Sequence, residues 1–429
     1  QYKATPILGA FLFAIAPWTI FFSRGILEPN LGFLFIASSI LFFLLAGKNG
    51  KWLFPAAIAL ALSTYAYPAA RLTSYILFAG FIFLLPKTKK TIVAISIFLF
   101  LIVQIPLLSI STTPAFTIRA QGLFYKEAIE STAGKIPLLP KTISLPIAFT
   151  REFSSQFMAY LSPRNLFFEP DPDPQRSIPQ LSSFYFWLVI PYLVGVFYVV
   201  SRFREKQIQY IFLMLIAAIV PAALTRDPFS TSRALPLVLP LTIIILLGIE
   251  GFRKNWLLLG IFLVPFSLLL LWRSYFAFLP YERAQAWSYG FGELASEIRN
   301  RPNDKFLIDQ TRIKPAYIEL AFFLKYPPAS LQEKIDQDIR NNYYNNASFN
   351  NHYTFENVET RNISWEEDIF KDHILVGDTL TISNQQTKEH FLEKVFEIRD
   401  PLNQIVFQGW KTNPAKKCKV ILNKSEFCR

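Results

Sequence analysis

Long apolar runs alternate with short polar joints over the first two thirds of this chain, and a mixed tail follows. The runs cover roughly 6–22, 31–46, 53–67, 72–86, 91–109, 183–200, 208–224, 235–250 and 255–275. A helix of about 20 residues crosses a bilayer core, and several runs approach that length. Only helices and closed barrels satisfy their backbone in hydrocarbon, and these runs are continuous rather than alternating. The pattern predicts a mostly α fold, a polytopic membrane helix bundle of about nine spans. From about residue 280 the Lys, Asp, Glu and Asn content rises. There Trp287–Arg299, Pro315–Leu324 and Leu331–Arg340 read as helices. Lys305–Asp309, His373–Ile382, Lys394–Ile398 and Gln404–Trp410 read as strands. Asn341–Asn351 is low-complexity and reads as loop. The predicted organisation is a membrane region at 1–279 with a long outer loop at 110–182, then an extracytoplasmic α+β domain at 280–429.

Composition supports lipid as the solvent. Of 429 residues, 52% are hydrophobic and 43 are Phe, more than a water-facing surface accommodates. The net charge of +12 raises nucleic acid as a partner. Its placement excludes that reading, because the excess lies in joints beside apolar runs: Lys48 and Lys51; Lys87, Lys89 and Lys90; Arg202, Arg204 and Lys206; Arg253 and Lys254. Such clusters mark cytoplasmic loops. The joints at 23–30, 68–71, 110–182 and 225–234 then lie outside, as does everything after about 276. The expected location is a multi-pass protein of the plasma (inner) membrane, with the C-terminal domain outside the cytoplasm. No signal peptide precedes the first run, and a start at Gln1 rather than Met reads as a fragment. Cys418 and Cys428 fall on the outer side, where a disulfide and two free thiols are both open.

The outer joints carry the candidate chemistry. The first holds Arg24 and Glu28, which face one way if the turn between them is helical. They form either a local ion pair or an anion-binding arginine beside a carboxylate. The second holds Tyr65, Tyr67 and Arg71. Interfacial tyrosines need no special role, but Arg71 has no acidic neighbour in sequence and calls for an anion, from a lipid headgroup or a bound lipid phosphate. The third begins near Arg119 and ends in a proline-rich stretch with Glu169, Asp171, Asp173 and Arg176. Its carboxylates suit a hard cation, but the alternating prolines oppose a wrapping loop, and a lid over an outer cavity fits better. The fourth holds Arg226 and Arg233. Arginines gathered on one membrane face point to a phosphate-bearing lipid. No nucleotide loop, metal-ligand spacing or serine-hydrolase elbow occurs. The histidines, His352, His373 and His390, read as surface residues. The sequons at Asn346, Asn362 and Asn423 carry little functional information. The spans hold almost no ionisable residues, which opposes an ion-coupled transporter.

Ala16-Pro17-Trp18, Phe22-Ser23-Arg24 with Glu28, and Leu62–Arg71 (LSTYAYPAAR) are similar to outer-loop stretches of lipid-linked-sugar glycosyltransferases. So are Leu166–Pro179 and Thr231–Ala234. In this order and sidedness the chain resembles the protein O-mannosyltransferase and aminoarabinose-transferase-like group, of GT-C architecture, over roughly 6–275. The resemblance implies a polyprenyl-phosphate-linked sugar as donor, a glycan, lipid or protein acceptor, and inverting transfer at the outer face. It implies that Arg24, Arg71 and Arg233 meet the donor phosphate, to which the outer-face charge adds Arg119 and Arg226, that Tyr65 and Tyr67 line the sugar or lipid pocket, and that Glu28 orients the acceptor or helps hold a divalent cation. The group's main catalytic base lies after its first span. This sequence has no such loop, so that base is expected upstream of Gln1. The competing readings are a non-catalytic handler of lipid-linked glycans, such as a flippase or polymerase partner, and a membrane anchor for a binding domain.

Overall fold

The computed structural model describes residues 4–25, 27–84, 88–136, 139–251, 253–312, 315–334, 352–420 and 428, with backbone alone at 4–5, 118–121, 253–259 and 334. The chain is mostly helical and divides into two compact units, Gln1–Ala277 and Phe278–Arg429.

The first unit is built from α1 (Ala4–Ile15), α2 (Pro17–Arg24), α3 (Glu28–Ala46), α4 (Leu53–Ala66), α5 (Pro68–Leu84) and α6 (Lys90–Ser109). Next come α7 (Pro114–Leu123), α8 (Lys126–Gly134), α9 (Lys141–Ala159), α10 (Val189–Ser201), α11 (Lys206–Ala223), α12 (Val238–Gly251) and α13 (Arg253–Trp272). All nine apolar runs are mainly helical where described, with Ala16, Tyr67 and residues 183–185 outside helices. Among the described residues, four helices, at Glu28–Ala46, Lys90–Ser109, Lys206–Ala223 and Gly260–Glu282, are long and apolar enough to cross a membrane. Pro68–Leu84, Phe186–Ser201 and Leu235–Gly251 are apolar but shorter.

The first run differs from expectation, since it is two helices meeting at 61°. Pro17 drives Ala16 into an extended conformation (ψ 134°) and ends α1 there. Hydroxyl groups donate to the carbonyls around the break. Tyr185 Oη donates to Ile15 O at 2.8 Å, and Thr19 Oγ1 donates to Ala16 O at 2.9 Å and to Phe13 O. The expected outer loop also contains more structure than its polar composition indicated. It folds as α7, α8 and α9, with Tyr125, Ile129, Ala133 and Ala148 forming a small core between α8 and α9.

Two devices hold the apolar helices together. The first is backbone contact. A Cβ placed on Gly195 would lie 1.9 Å from Ile244 O, and one on Gly248 would lie 1.8 Å from Pro191 O. The surfaces of α10 and α12 therefore touch through glycines, whose missing side chains let two helix backbones approach closely. The second is a satisfied buried amide. Gln104 on α6 donates to Ala61 O at 3.2 Å and accepts from Thr64 Oγ1 at 3.2 Å and Tyr75 Oη at 3.0 Å.

The turns fall into two groups. The α3–α4 turn abuts the start of α6, where a Cβ on Gly50 would lie 3.1 Å from Thr88 Cγ2. Tyr210, near the start of α11, donates to Leu84 O at the end of α5. At the other end, the α1–α2 break, the α4–α5 turn, residues 160–185 and residues 225–234 meet one another. Trp18 Nε1 donates to Thr231 O at 3.1 Å, Tyr67 Oη donates to Ser232 Oγ at 3.4 Å, and Phe184 N donates to Leu166 O at 2.9 Å.

The second unit contains α14 (Leu279–Glu282), α15 (Phe291–Arg299), β1 (Phe306–Ile308), α16 (Ala316–Leu324), α17 (Pro328–Lys334), β2 (Tyr353–Phe355), β3 (Val358–Thr360) and β4 (Ile374–Gly377). It ends with α18 (Asn384–Glu389), β5 (Glu393–Arg399), β6 (Ile405–Lys411) and α19 (Pro414–Val420). One sheet runs β2-β3-β1-β4-β6-β5, with β1 parallel to both β3 and β4 and the other pairs antiparallel. Alternation along β1 sends Phe306 and Ile308 to one face, packed with Phe291, Leu294 and Leu320, and Leu307 to the other, with Leu375 and Ile382. The expected strand at His373–Ile382 stops at Gly377, because Asp378 accepts from the amides of Leu380 and Thr381 and turns the chain. The helix expected at Leu331–Arg340 is seen to Lys334, and its remainder, with Asn341–Asn351, lies outside the described residues. Asn346 and Asn423 also lie outside them. Cys418 and Cys428 are joined by a disulfide.

Two histidines depart from the surface reading. His390 is buried and stacks on Trp365, with centroids 5.1 Å apart, and His373 is half-buried. Burial pushes both imidazoles below their usual range.

Asp368 is fully buried and accepts two hydrogen bonds from Arg361, each 2.7 Å, and one from Ser364 N at 2.8 Å. Burial alone would raise its carboxyl, but those partners outweigh burial and hold it below the usual range. A depressed native pKa contributes stability that is present above the unfolded value of about 3.9 and lost as pH falls through the native value. Asp368→Asn is therefore expected to destabilise the C-terminal unit at neutral pH and to shrink the gap from wild type below about pH 4. Chemical denaturation of the whole chain, followed by tryptophan fluorescence against pH, checks this.

Candidate functional site: a charged cluster where the loops meet

The loops at 160–185 and 225–234 enclose a compact set of ionic groups. Asp171 is buried, and its two oxygens accept from Asp173 N (2.9 Å), Thr231 N (2.7 Å) and Thr231 Oγ1 (2.8 Å). Arg176 lies at the centre. Its guanidinium is 3.5 Å from Asp171, 3.1 Å from Asp173 and 3.5 Å from Asp227, and it donates to Ser230 Oγ. Arg233 donates to Asp227 at 2.6 Å and to Thr225 Oγ1 at 3.0 Å. Tyr160, fully buried at the end of α9, accepts from Ser230 N at 3.0 Å. Both guanidinium groups are mostly shielded from solvent, 15% and 12% exposed.

Local chemistry explains how the loops are held. Pro174 opens a short helical turn capped by the Asp173 side chain, which accepts from Gln175 N at 2.9 Å. That turn brings Arg176 back over the carboxylates preceding it. Burial pushes the Asp171 carboxyl above the usual range; Arg176 and the amides of Thr231 and Asp173 pull it down without cancelling the burial. Asp227 also pays desolvation, but the bonds and charges of Arg233 and Arg176 outweigh it and hold its carboxyl low. Burial raises the Tyr160 phenol, so it stays neutral.

The sequence candidates divide among several places. Arg233 is in the cluster. Tyr67 reaches its edge through Ser232, whose hydroxyl lies 3.2 Å from Ser230 Oγ. Arg71 begins one turn into α5; its Nε donates to Thr64 O at 3.3 Å and its guanidinium lies 4.0 Å over the Phe116 ring. Glu28 opens α3 and is exposed. One turn on, a Cβ at Gly32 would meet Tyr67 and Ala70 at 3.4 and 3.5 Å, which places Glu28 at the same end as Tyr67. Tyr65 turns away and donates to Val103 O on α6. Arg24 and Glu28 do not share a helical turn, since Gly25 and Leu27 are extended. Arg24 instead stands over Tyr275 and Phe276, at 5.0 and 5.5 Å. Arg226 is exposed; its amide donates to Leu123 O at 2.7 Å. The side chain of Arg119, on α7, lies outside the described residues.

Sequence reading did not assign Arg176, Asp171 or Tyr160 to the site. Arg176 and Asp171 were visible as an acidic, proline-rich stretch, but nothing local says that their partners lie 51 to 60 residues away. Tyr160 left no signal.

The carboxylates converge on a guanidinium rather than on an open centre. No group of three or more His, Cys, Asp or Glu suited to a metal occurs among the described residues. The donor set here does not fit a divalent cation. Beside Asp171 and Arg176, a cavity of about 20 Å³ is bounded by Trp18, Phe22 and Thr231. That space accommodates a water molecule and not a sugar.

No protein-family model matches this chain, and neither a curated protein nor a solved structure does.

Proposed function

We propose that this chain belongs to a membrane glycosyltransferase that takes a sugar from a polyprenyl-phosphate donor at the outer membrane face, with nine spans in the bilayer. One observation carries the reading. The joints predicted to be outside at 68–71, within 110–182 and at 225–234 meet at one end of the helices, together with the α1–α2 break inside the first run, whereas the basic α3–α4 turn abuts the start of α6. That grouping fits the alternation of crossings inferred from lysine and arginine placement.

On this reading Arg71 faces the donor phosphate. A departing lipid phosphate gains negative charge as the sugar–oxygen bond breaks, and a fixed guanidinium stabilises that charge. Tyr67 borders the same space. Glu28 orients the acceptor hydroxyl. The charged cluster is scaffold: Arg176 and Arg233 already face carboxylates and hold the loops around the site. A second reading, a non-catalytic handler of lipid-linked glycans, is favoured by that same occupation of Arg176 and Arg233.

The test is binding of undecaprenyl phosphate to the protein in nanodiscs, followed by transfer from radiolabelled polyprenyl-phosphate sugars. Arg71→Ala is expected to weaken binding about 10- to 100-fold, the effect of one charge-assisted contact. Arg202→Ala, in the α10–α11 turn, is expected to leave it unchanged. Equal binding by wild type and Arg71→Ala sinks the donor site. Binding without transfer from any of the sugars favours the second reading.

A further inference from the structure

Between α1, α12 and α13 lies an apolar cavity of about 370 Å³, lined by Leu8, Leu12, Trp187, Ile249, Val264 and Pro265. That volume falls within the range of about 300–1,000 Å³ typical of ligand pockets. Its α13 wall is loosely held. In the most apolar stretch of the long helix Gly260–Glu282, only 17% of positions are buried, against 22%, 33% and 56% in the matching stretches of the other three. Gly260 faces the cavity, and a Cβ there would meet nothing within 4 Å. The space opens at the helix surface, and its apolar walls there lack packing partners. In a bilayer the available filler is a hydrocarbon chain.

Higher on the same helix, Tyr275 and Phe276 carry the Arg24 guanidinium, and among the described residues no carboxylate pairs with Arg24. Eleven residues separate Pro265 from Phe276, about 16 Å of helical rise. Half the hydrocarbon thickness of a bilayer is about 15 Å. A lipid whose phosphate sits at Arg24 would therefore bring the lower part of one acyl chain to the cavity.

We propose that α1, α12 and α13 form a binding site for an anionic glycerophospholipid, with one acyl chain in the cavity and the phosphate at Arg24. It goes beyond the transfer reading and uses different residues. A donor phosphate belongs beside Arg71 and Tyr67, whereas Arg24 is directed at α13; the depth matches a chain of leaflet length.

The protein is reconstituted in nanodiscs of equimolar phosphatidylglycerol and phosphatidylcholine with trace undecaprenyl phosphate. It is then extracted, and the retained lipid is identified by mass spectrometry. Wild type is expected to retain phosphatidylglycerol over phosphatidylcholine about fivefold, the worth of one cation at the membrane surface. Arg24→Ala should remove the preference while leaving some lipid bound. Gly260→Leu, which fills open space, should lower retention of both lipids. Unchanged phosphatidylglycerol enrichment in Arg24→Ala overturns the site. So does retention of undecaprenyl phosphate in place of glycerophospholipid. The Arg71→Ala binding result is read separately, so either proposal can fail alone.

Discussion

Replacing Gly248 with leucine is expected to prevent the first unit from assembling. A Cβ at that position falls 1.8 Å from Pro191 O and 2.9 Å from the amide nitrogen of Gly195. These are main-chain atoms, so no side chain can rotate out of the way. The remaining response is to push α10 and α12 apart along the whole crossing, where Ile244 and Gly195 are equally close. Overpacking commonly costs about 1–3 kcal/mol when side chains can adjust. Here the displaced element is a helix backbone, and the cost should exceed about 3 kcal/mol, the top of that range. Size-exclusion profiles of the detergent-extracted protein should shift from a single peak to aggregate. Gly251→Ala, one turn on in the same helix and 3.7 Å from the Val194 side chain, is the control and should behave as wild type.

The second large effect is expected at Arg176. Removing it as Arg176→Ala leaves Asp171, Asp173 and Asp227 facing one another, with Arg233 the remaining cation of the cluster. Asp171 is fully buried and bound to amides that cannot move away. Breaking a buried pair on one side costs about 3–5 kcal/mol, because a charge stays behind without its partner. Thermal unfolding in nanodiscs should show the loss, and limited proteolysis should cut first within 160–185. Arg176→Lys should recover little, since an ammonium cannot span three carboxylates as a planar guanidinium does. Wild-type stability in Arg176→Ala would mean that the loops are held by Trp18, Tyr160 and Tyr185 instead.

The sequence was most informative where the signal was long and periodic. Each apolar run is mainly helical, and the shift in composition near residue 280 falls close to the boundary at Ala277 and Phe278. The bend inside the first run was written in Pro17, because the residue before a proline avoids the helical region. Other features lacked a local signal. Strands β2 and β3 have three residues each and are joined through Glu356 and Asn357, with Glu356 at φ 52°, so no glycine marked the hairpin. The helices α7 to α9 lie in a stretch whose prolines and polar residues read as loop. The central pairing of the site, Arg176 with Asp227, joins two loops across α10 and α11, and short-range pattern carries no information about that closure.

The α1–α2 break has one more implication. The carbonyl of Ile15 is answered by the hydroxyl of Tyr185, from a loop 170 residues downstream. Trp18 is fastened twice, by its indole to Thr231 and by its amide to Ser183. The elbow is thus a hinge pin shared by three distant stretches of chain. Swinging α2 into line with α1 would unfasten both loops at once, so the angle of the elbow and the closure of the loops form a single mechanical variable.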